Sequence, residues 1–71
     1  MYIVIEMQTN GDKTAILTKT AAEKNQADSV FFQTLAAAAI SSVEIHSVAL
    51  LSEYGFLLRR ETYEHRKEAA E

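Results

Sequence analysis

The third strand-like segment of this chain, Val43–Leu51, is apolar on both of its faces over its second half. An antiparallel sheet with one face in water alternates apolar and polar residues, and Val48 to Leu51 break that alternation. The next segment opens with Phe56-Leu57-Leu58 and breaks it again. One helix covers one face of a sheet, and a chain of 71 residues has little else to cover the second. The sequence therefore predicts association with a second copy.

An N-terminal hairpin is predicted by two β-rich runs that flank a turn signal. Tyr2–Gln8 is rich in β-branched and aromatic residues, which favour a strand. Asn10-Gly11 favours a tight turn between antiparallel strands. Thr14–Thr18 then supplies a second β-branched run, so the two runs pair as a hairpin.

A single helix follows, and its start has two candidates. Thr20 with Glu23 fits a capping box. Asn25 accepts free amide hydrogens at a helix start, and Asp28 suits the positive end of the helix dipole. We prefer the later start because it gathers five apolar residues into one stripe that continues to about Ile40. The stripe consists of Ala27, Val30, Phe31, Leu35 and Ala38.

The second half predicts another hairpin. Val43–Leu51 and Phe56 to about His65 read as strands, and Ser52–Gly55 reads as the turn between them. The order is ββαββ, which predicts an α+β fold with a largely antiparallel four-stranded sheet and one helix packed on one face. We expect one domain over 1–71, with a polar tail at 66–71.

Strand periodicity and the helical stripe also predict which residues are buried. The predicted core consists of Ile3, Ile5, Ile16, Phe31, Leu35, Ile45 and Leu58. The predicted back of the sheet consists of Val48, Leu50, Phe56 and Leu57. We expect a second copy to join either through this back or through the alanine-rich second half of the helix.

Composition favours self-association as the stabilising device. Small domains usually need disulfides, a metal or a partner subunit. There is no cysteine, which excludes disulfides and thiolate metal sites, and two histidines are too few for a metal site. We expect a homodimer or homotrimer with no metal and no cofactor.

Charge and hydropathy argue against two classes of partner. The net charge of −3 disfavours nucleic acid, whose binding depends on neutralising phosphates. No apolar run approaches the roughly 18 residues of a membrane span. No basic region precedes Tyr2–Ile5, so we expect no signal peptide and a cytoplasmic location.

Chemistry-bearing motifs are sparse. The sequence has no phosphate-binding glycine loop, nucleophile elbow or paired-histidine metal motif. His46 and Glu44 are the weak catalytic candidates, because they share a strand face and a histidine beside a carboxylate can act as a base. A hydrogen-bonded structural histidine is the favoured alternative, so no catalytic residue is assigned. Glu6 is expected to face Arg59 or Arg60 across the sheet in a structural pair.

Three segments carry a family resemblance. Tyr2–Asn10 and Leu35–Ser42, followed by Ile45–Ser47, resemble a group of short uncharacterised bacterial and prophage-type proteins of about this length. The resemblance covers most of the chain. It implies a small viral-module or accessory role and brings no established activity or site residue.

Three functions remain open from the sequence. The favoured one is a non-enzymatic, self-associating structural or accessory protein, because apolar surface is in excess and no polar site converges. The first alternative is a small ligand-binding or regulatory module with a site between subunits. The second is a cofactor-free enzyme of the dimeric α+β barrel type, with His46 and Glu44 in its cleft.

Overall fold

The computed structural model describes residues 1–65 and confirms the ββαββ order. The elements are β1 (Tyr2–Asn10), β2 (Lys13–Ala21), α1 (Lys24–Ala39), β3 (Ile45–Ser52) and β4 (Leu57–Glu64). All three strand pairings are antiparallel, and α1 packs on one face of the sheet. The polar tail predicted for 66–71 lies outside the described residues.

The four strands lie side by side in the order β2-β1-β3-β4. The two hairpins are therefore joined through β1 and β3, which occupy the centre. Because β2 is at one edge and β3 lies on the other side of β1, the chain must cross over the sheet between them. Helix α1 makes that crossing and packs chiefly against β3 and β1.

Both hairpin turns contain a glycine with a positive φ. Gly11 has φ 60° and Gly55 has φ 87°, in the region that residues with a Cβ seldom adopt. The second turn is also held by Ser52, whose hydroxyl accepts hydrogen bonds from the amides of Tyr54 and Phe56. Turn chemistry thus sets where each hairpin reverses.

The helix begins at Lys24, one residue before the preferred start, and its N-cap is Glu23 without a side-chain hydrogen bond. Thr20 lies inside β2, so the predicted capping box does not form. Asn25 lies inside the helix and does not cap it, and the Asp28 carboxylate binds Lys24 and lies 3.6 Å from the Arg59 guanidinium. Among residues 1–65, no helix has the length and apolar character needed to cross a membrane.

The predicted core had the correct helix residue Phe31 but the wrong face of the sheet. Beneath α1 lie Val4, Val48 and Leu50, and the last two are fully buried. They pack with three buried residues of the helix: Ala27, Phe31 and Ala38. The prediction that Val48 and Leu50 form the back of the sheet is therefore wrong. Alternation shows which residues share a face, but both faces of β3 are apolar, so it does not show which one the helix covers.

The remaining residues of the predicted core divide by position. Leu35 is partly buried and packs against the core cluster. Ile3, Ile5 and Ile45 are half-buried, and pleating places them on the face away from α1. Two further residues of the predicted core, Ile16 and Leu58, are exposed.

Candidate functional sites

A chain of polar side chains runs beneath the C-terminal end of α1. His46 of β3 is only 3% exposed. Its Nε2 lies 2.5 Å from Oε2 of Glu6 in β1, and its Nδ1 lies 2.9 Å from the hydroxyl oxygen of Ser41. Ser41 belongs to the segment that follows the helix. These hydrogen bonds therefore connect the C-terminal end of α1 to the two central strands.

The carboxylate of Glu6 is the acidic group among these polar side chains. Gln8 donates a second hydrogen bond to the same oxygen, at 2.9 Å. Burial raises the pKa of Glu6, but hydrogen bonds from Gln8 and His46 and the positive charges of His46 and Lys19 outweigh it. The net result is a pKa below the ordinary value of 4.5. The site thus favours an ionised Glu6.

Glu44, the other carboxylate singled out in the sequence, serves a different contact. Its Oε1 accepts a hydrogen bond from the Gly11 amide at 2.8 Å, and its own amide donates to the Asn10 side chain at 3.0 Å. Glu44 therefore fastens the first hairpin turn to the segment before β3. The carboxylate beside His46 is Glu6.

Arg59, proposed from the sequence as a partner of Glu6, lies elsewhere. Its guanidinium sits 5.2 Å from the centre of the Phe32 ring and near Asp28, both on α1. The register explains the difference, because Glu6 is aligned with Val48 and Val48 with Glu61. Arg60, the other proposed partner, is aligned with Ala49 and so lies on the other side of the sheet from Glu6. Glu6 pairs with His46 instead.

The hydrogen bonds of His46 and Ser41 limit the reactions in which these side chains can take part. Both ring nitrogens of His46 are engaged, and the ring is buried. The Ser41 hydroxyl also accepts a hydrogen bond from the Val43 amide at 3.3 Å. His46 therefore has no free ring nitrogen for an external substrate. Its hydrogen bonds instead connect three backbone segments, which are β1, β3 and the segment that follows α1.

An open cleft of about 320 Å³ lies beside Glu6, between α1 and β2. Its lining residues are Glu6, Lys19, Val30, Gln33, Thr34 and Ala37. The cleft has one carboxylate and one ammonium group on its wall. Within residues 1–65, no group of three or more His, Cys, Asp or Glu side chains is placed to hold a metal ion.

The face of the sheet away from α1, here called the open face, has a different character. The register assigns to it Ile3, Ile5, Met7 and Thr9 of β1, Thr14, Ile16, Thr18 and Thr20 of β2, and Ile45, Ser47, Ala49 and Leu51 of β3. None of these residues is charged. Hydroxyl pairs 3.0 Å apart, Thr9 with Thr14 and Ser47 with Thr62, agree with this assignment.

Apolar side chains on and beside the open face remain in water in the single chain. Ile16 is 64% exposed, and Leu57 and Leu58 at the start of β4 are 56% and 45% exposed. Among the four strands of residues 1–65, the charged residues that the register assigns to this face are Arg60 and Glu64, both on β4. The centre of the open face is therefore apolar and hydroxyl-bearing, with a charged margin on one side.

Comparison with known proteins gives no relative: no family model, curated protein or solved structure matches this chain.

The lowered pKa of Glu6 predicts an acid-sensitive part of the folding free energy. A carboxylate with a depressed pKa contributes stability above its unfolded pKa, and that contribution is lost as pH falls through the folded pKa. We expect Glu6→Gln to be less stable than wild type at about pH 7 and the difference to shrink towards about pH 3. Urea denaturation across that range measures it. Glu61→Gln, which alters an exposed carboxylate of β4, is the control. A Glu6→Gln difference that is constant with pH would contradict the prediction.

Proposed function

We propose that this chain acts as a non-enzymatic, self-associating structural or accessory subunit whose copies pack through the open face. One observation carries the proposal: β2, β1 and β3 present a contiguous surface of isoleucine, methionine, leucine, alanine and hydroxyl side chains without a charge. Transferring such a surface from water into an interface carries a small desolvation free energy, because no ionised group must be buried.

The magnitude of apolar burial supports this role. Burying one Leu- or Ile-sized side chain contributes about 1.5–3 kcal/mol. A small domain is stable by only about 5 kcal/mol or a little more. Burying Ile16, Leu51 and Leu57 together with the half-buried side chains beside them therefore contributes an amount comparable to the whole folding free energy. Two such sheets pack about 10 Å apart, with the side chains of their inner faces interdigitated.

Both alternative functions place a polar site between subunits. On the open face, the central strands offer threonine and serine hydroxyls and no titratable side chain. The Glu6–His46 pair lies on the opposite side of the sheet, beneath α1. The geometry consequently supports an assembly role better than a ligand module or a barrel-type enzyme.

The proposal also includes a biological role and a cellular compartment. The role we propose includes the accessory or viral-module setting that the sequence resemblance to short bacterial and prophage-type proteins implies. The absence of cysteine agrees with a reducing compartment such as the cytoplasm. We include both in the proposed function.

The proposal is tested by placing one charge at the centre of the open face. Ile5 lies on β1 between Thr18 and Ala49. We expect Ile5→Lys to lower the native mass by half or more, because an ammonium group resists burial between two apolar sheets. The circular dichroism spectrum should be retained, since the lysine stem can lie along the sheet with its charge in water. Sedimentation velocity measures the mass.

The matched control is Ile40→Lys. Ile40 is 88% exposed and follows α1, on the other side of the sheet. The same substitution there should leave the native mass of the assembly unchanged. Equal masses for wild type and Ile5→Lys would overturn the open face as the interface.

A further inference from the structure

The two edges of the sheet are protected to very different degrees. β2 pairs only with β1, so its outer backbone edge has no partner strand among the described residues. The nine residues of β2 keep an uninterrupted register with β1, and positions 13–20 are all exposed. A long, regular and exposed edge strand is a template for pairing with another chain.

The opposite edge carries the devices that normally prevent such pairing. The register of β3 with β4 is interrupted between Leu50 and Leu51, which marks a bulge or irregularity. β4 also carries Arg59, Arg60, Glu61 and Glu64. Bulges and charges both discourage edge-to-edge association. β2 has neither a bulge nor a proline, and it carries two charged residues, both lysines, where β4 carries four.

We propose that β2 pairs antiparallel with β2 of a second copy, about a two-fold axis through Leu17. The result is one continuous eight-stranded sheet. This inference rests on the proposed self-association and adds a second, independent interface to it. The outer β4 edges of that sheet stay protected, so the pairing closes as a dimer.

The sequence of β2 is self-complementary in this register. All nine residues find a partner, and Thr14 lies opposite the second copy's Thr20, a favourable hydroxyl pair. Both lysines lie opposite alanines: Lys13 opposite Ala21 and Lys19 opposite Ala15. No two like charges are directly opposed. A two-fold interface needs a surface that fits itself, and this strand does.

The edge pairing also extends the open face. Ile16 lies on the open face of β2, so the joined sheets present one apolar surface that continues across the seam. Two such sheets packed through their open faces would contain four chains of 7.9 kDa each. The edge and face interfaces can then be removed one at a time.

The test uses the position opposite Lys19. Ala15→Glu would place a carboxylate against the second copy's Lys19, and Ala15→Lys would place two ammonium groups against each other. Because each interface contains this pair twice, we expect the two variants to differ by roughly tenfold or more in dimer dissociation constant, the glutamate binding more tightly. Sedimentation equilibrium in the Ile5→Lys background isolates the edge contact. Ala36→Glu and Ala36→Lys, at an exposed helix position, should not differ.

The outcomes separate this inference from the proposed function. Opposite shifts for the two Ala15 variants support edge pairing, even where Ile5→Lys leaves the native mass unchanged and the open face is rejected. Equal dissociation constants for the two variants would overturn the edge pairing alone. A monomeric Ile5→Lys protein would also overturn it, because no second interface would remain, while leaving the open face supported. If the β2 edge binds an unrelated extended peptide and not a second copy, the Ile5→Lys protein would likewise be monomeric, and the proposed edge pairing would be overturned.

Discussion

Leu50→Asp is expected to leave the chain unfolded in buffer. Leu50 is fully buried between the sheet and α1, in one cluster with Val4 and Phe31. Truncating a buried leucine to alanine already costs about 2–5 kcal/mol, and a carboxylate without a partner adds a further desolvation cost. The sum exceeds a folding free energy of about 5 kcal/mol. Circular dichroism and a urea titration without a transition would show the loss.

The neighbouring residue supplies the control. Leu51 follows Leu50 in β3 but is half-buried on the open face. We expect Leu51→Asp to remain folded and to lower the native mass instead. A folded Leu50→Asp protein together with an unfolded Leu51→Asp protein would mean that the helix covers the other face of the sheet.

Removing the buried imidazole is the second large effect. We expect His46→Ala to lose about 3 kcal/mol or more of unfolding free energy, because it leaves a cavity and deprives Glu6 and Ser41 of their shared partner. His65→Ala is the control, since His65 is exposed and its Nε2 lies 2.9 Å from the Ala38 carbonyl oxygen. That control should lose about 1 kcal/mol or less. Urea denaturation compares them, and equal losses would contradict a structural role for His46.

The element order was predictable because each segment carries its own local signal. The β-branched runs, the two glycine turns and the apolar stripe through Phe31 are all read within a few residues. The end of β2 was missed by three residues, because pairing with β1 extends it to Ala21 opposite Tyr2. That extension removes Thr20 from the helix start. Tertiary pairing here outweighs a local capping signal.

The choice of the covered face was not predictable from periodicity. Ile3 and Val4 lie on opposite sides of β1, and both are strongly apolar. What decides between them is the packing of α1 over β3 and β1, which no local pattern records. The sequence correctly indicated an excess of apolar surface, while assigning Val48 and Leu50 to it in place of residues such as Ile5.

The polar site was only half predictable for a similar reason. His46 stood out as a histidine in an apolar strand, but its carboxylate partner is 40 residues away. The β1–β3 register aligns Gln8 with His46 and so brings Glu6 diagonally beside it. A lone acidic residue within the apolar run of β1 was the available signal. Its partner could be identified only once the order of strands in the sheet was known.

Light scattering on the wild-type chain at micromolar concentration tests directly whether the copies self-associate. We expect a native mass of at least twice 7.9 kDa, because we propose that a second copy covers the open face. The mass should fall upon dilution and with Ile5→Lys. A cooperatively folded particle of 7.9 kDa at every concentration would contradict self-association through the open face.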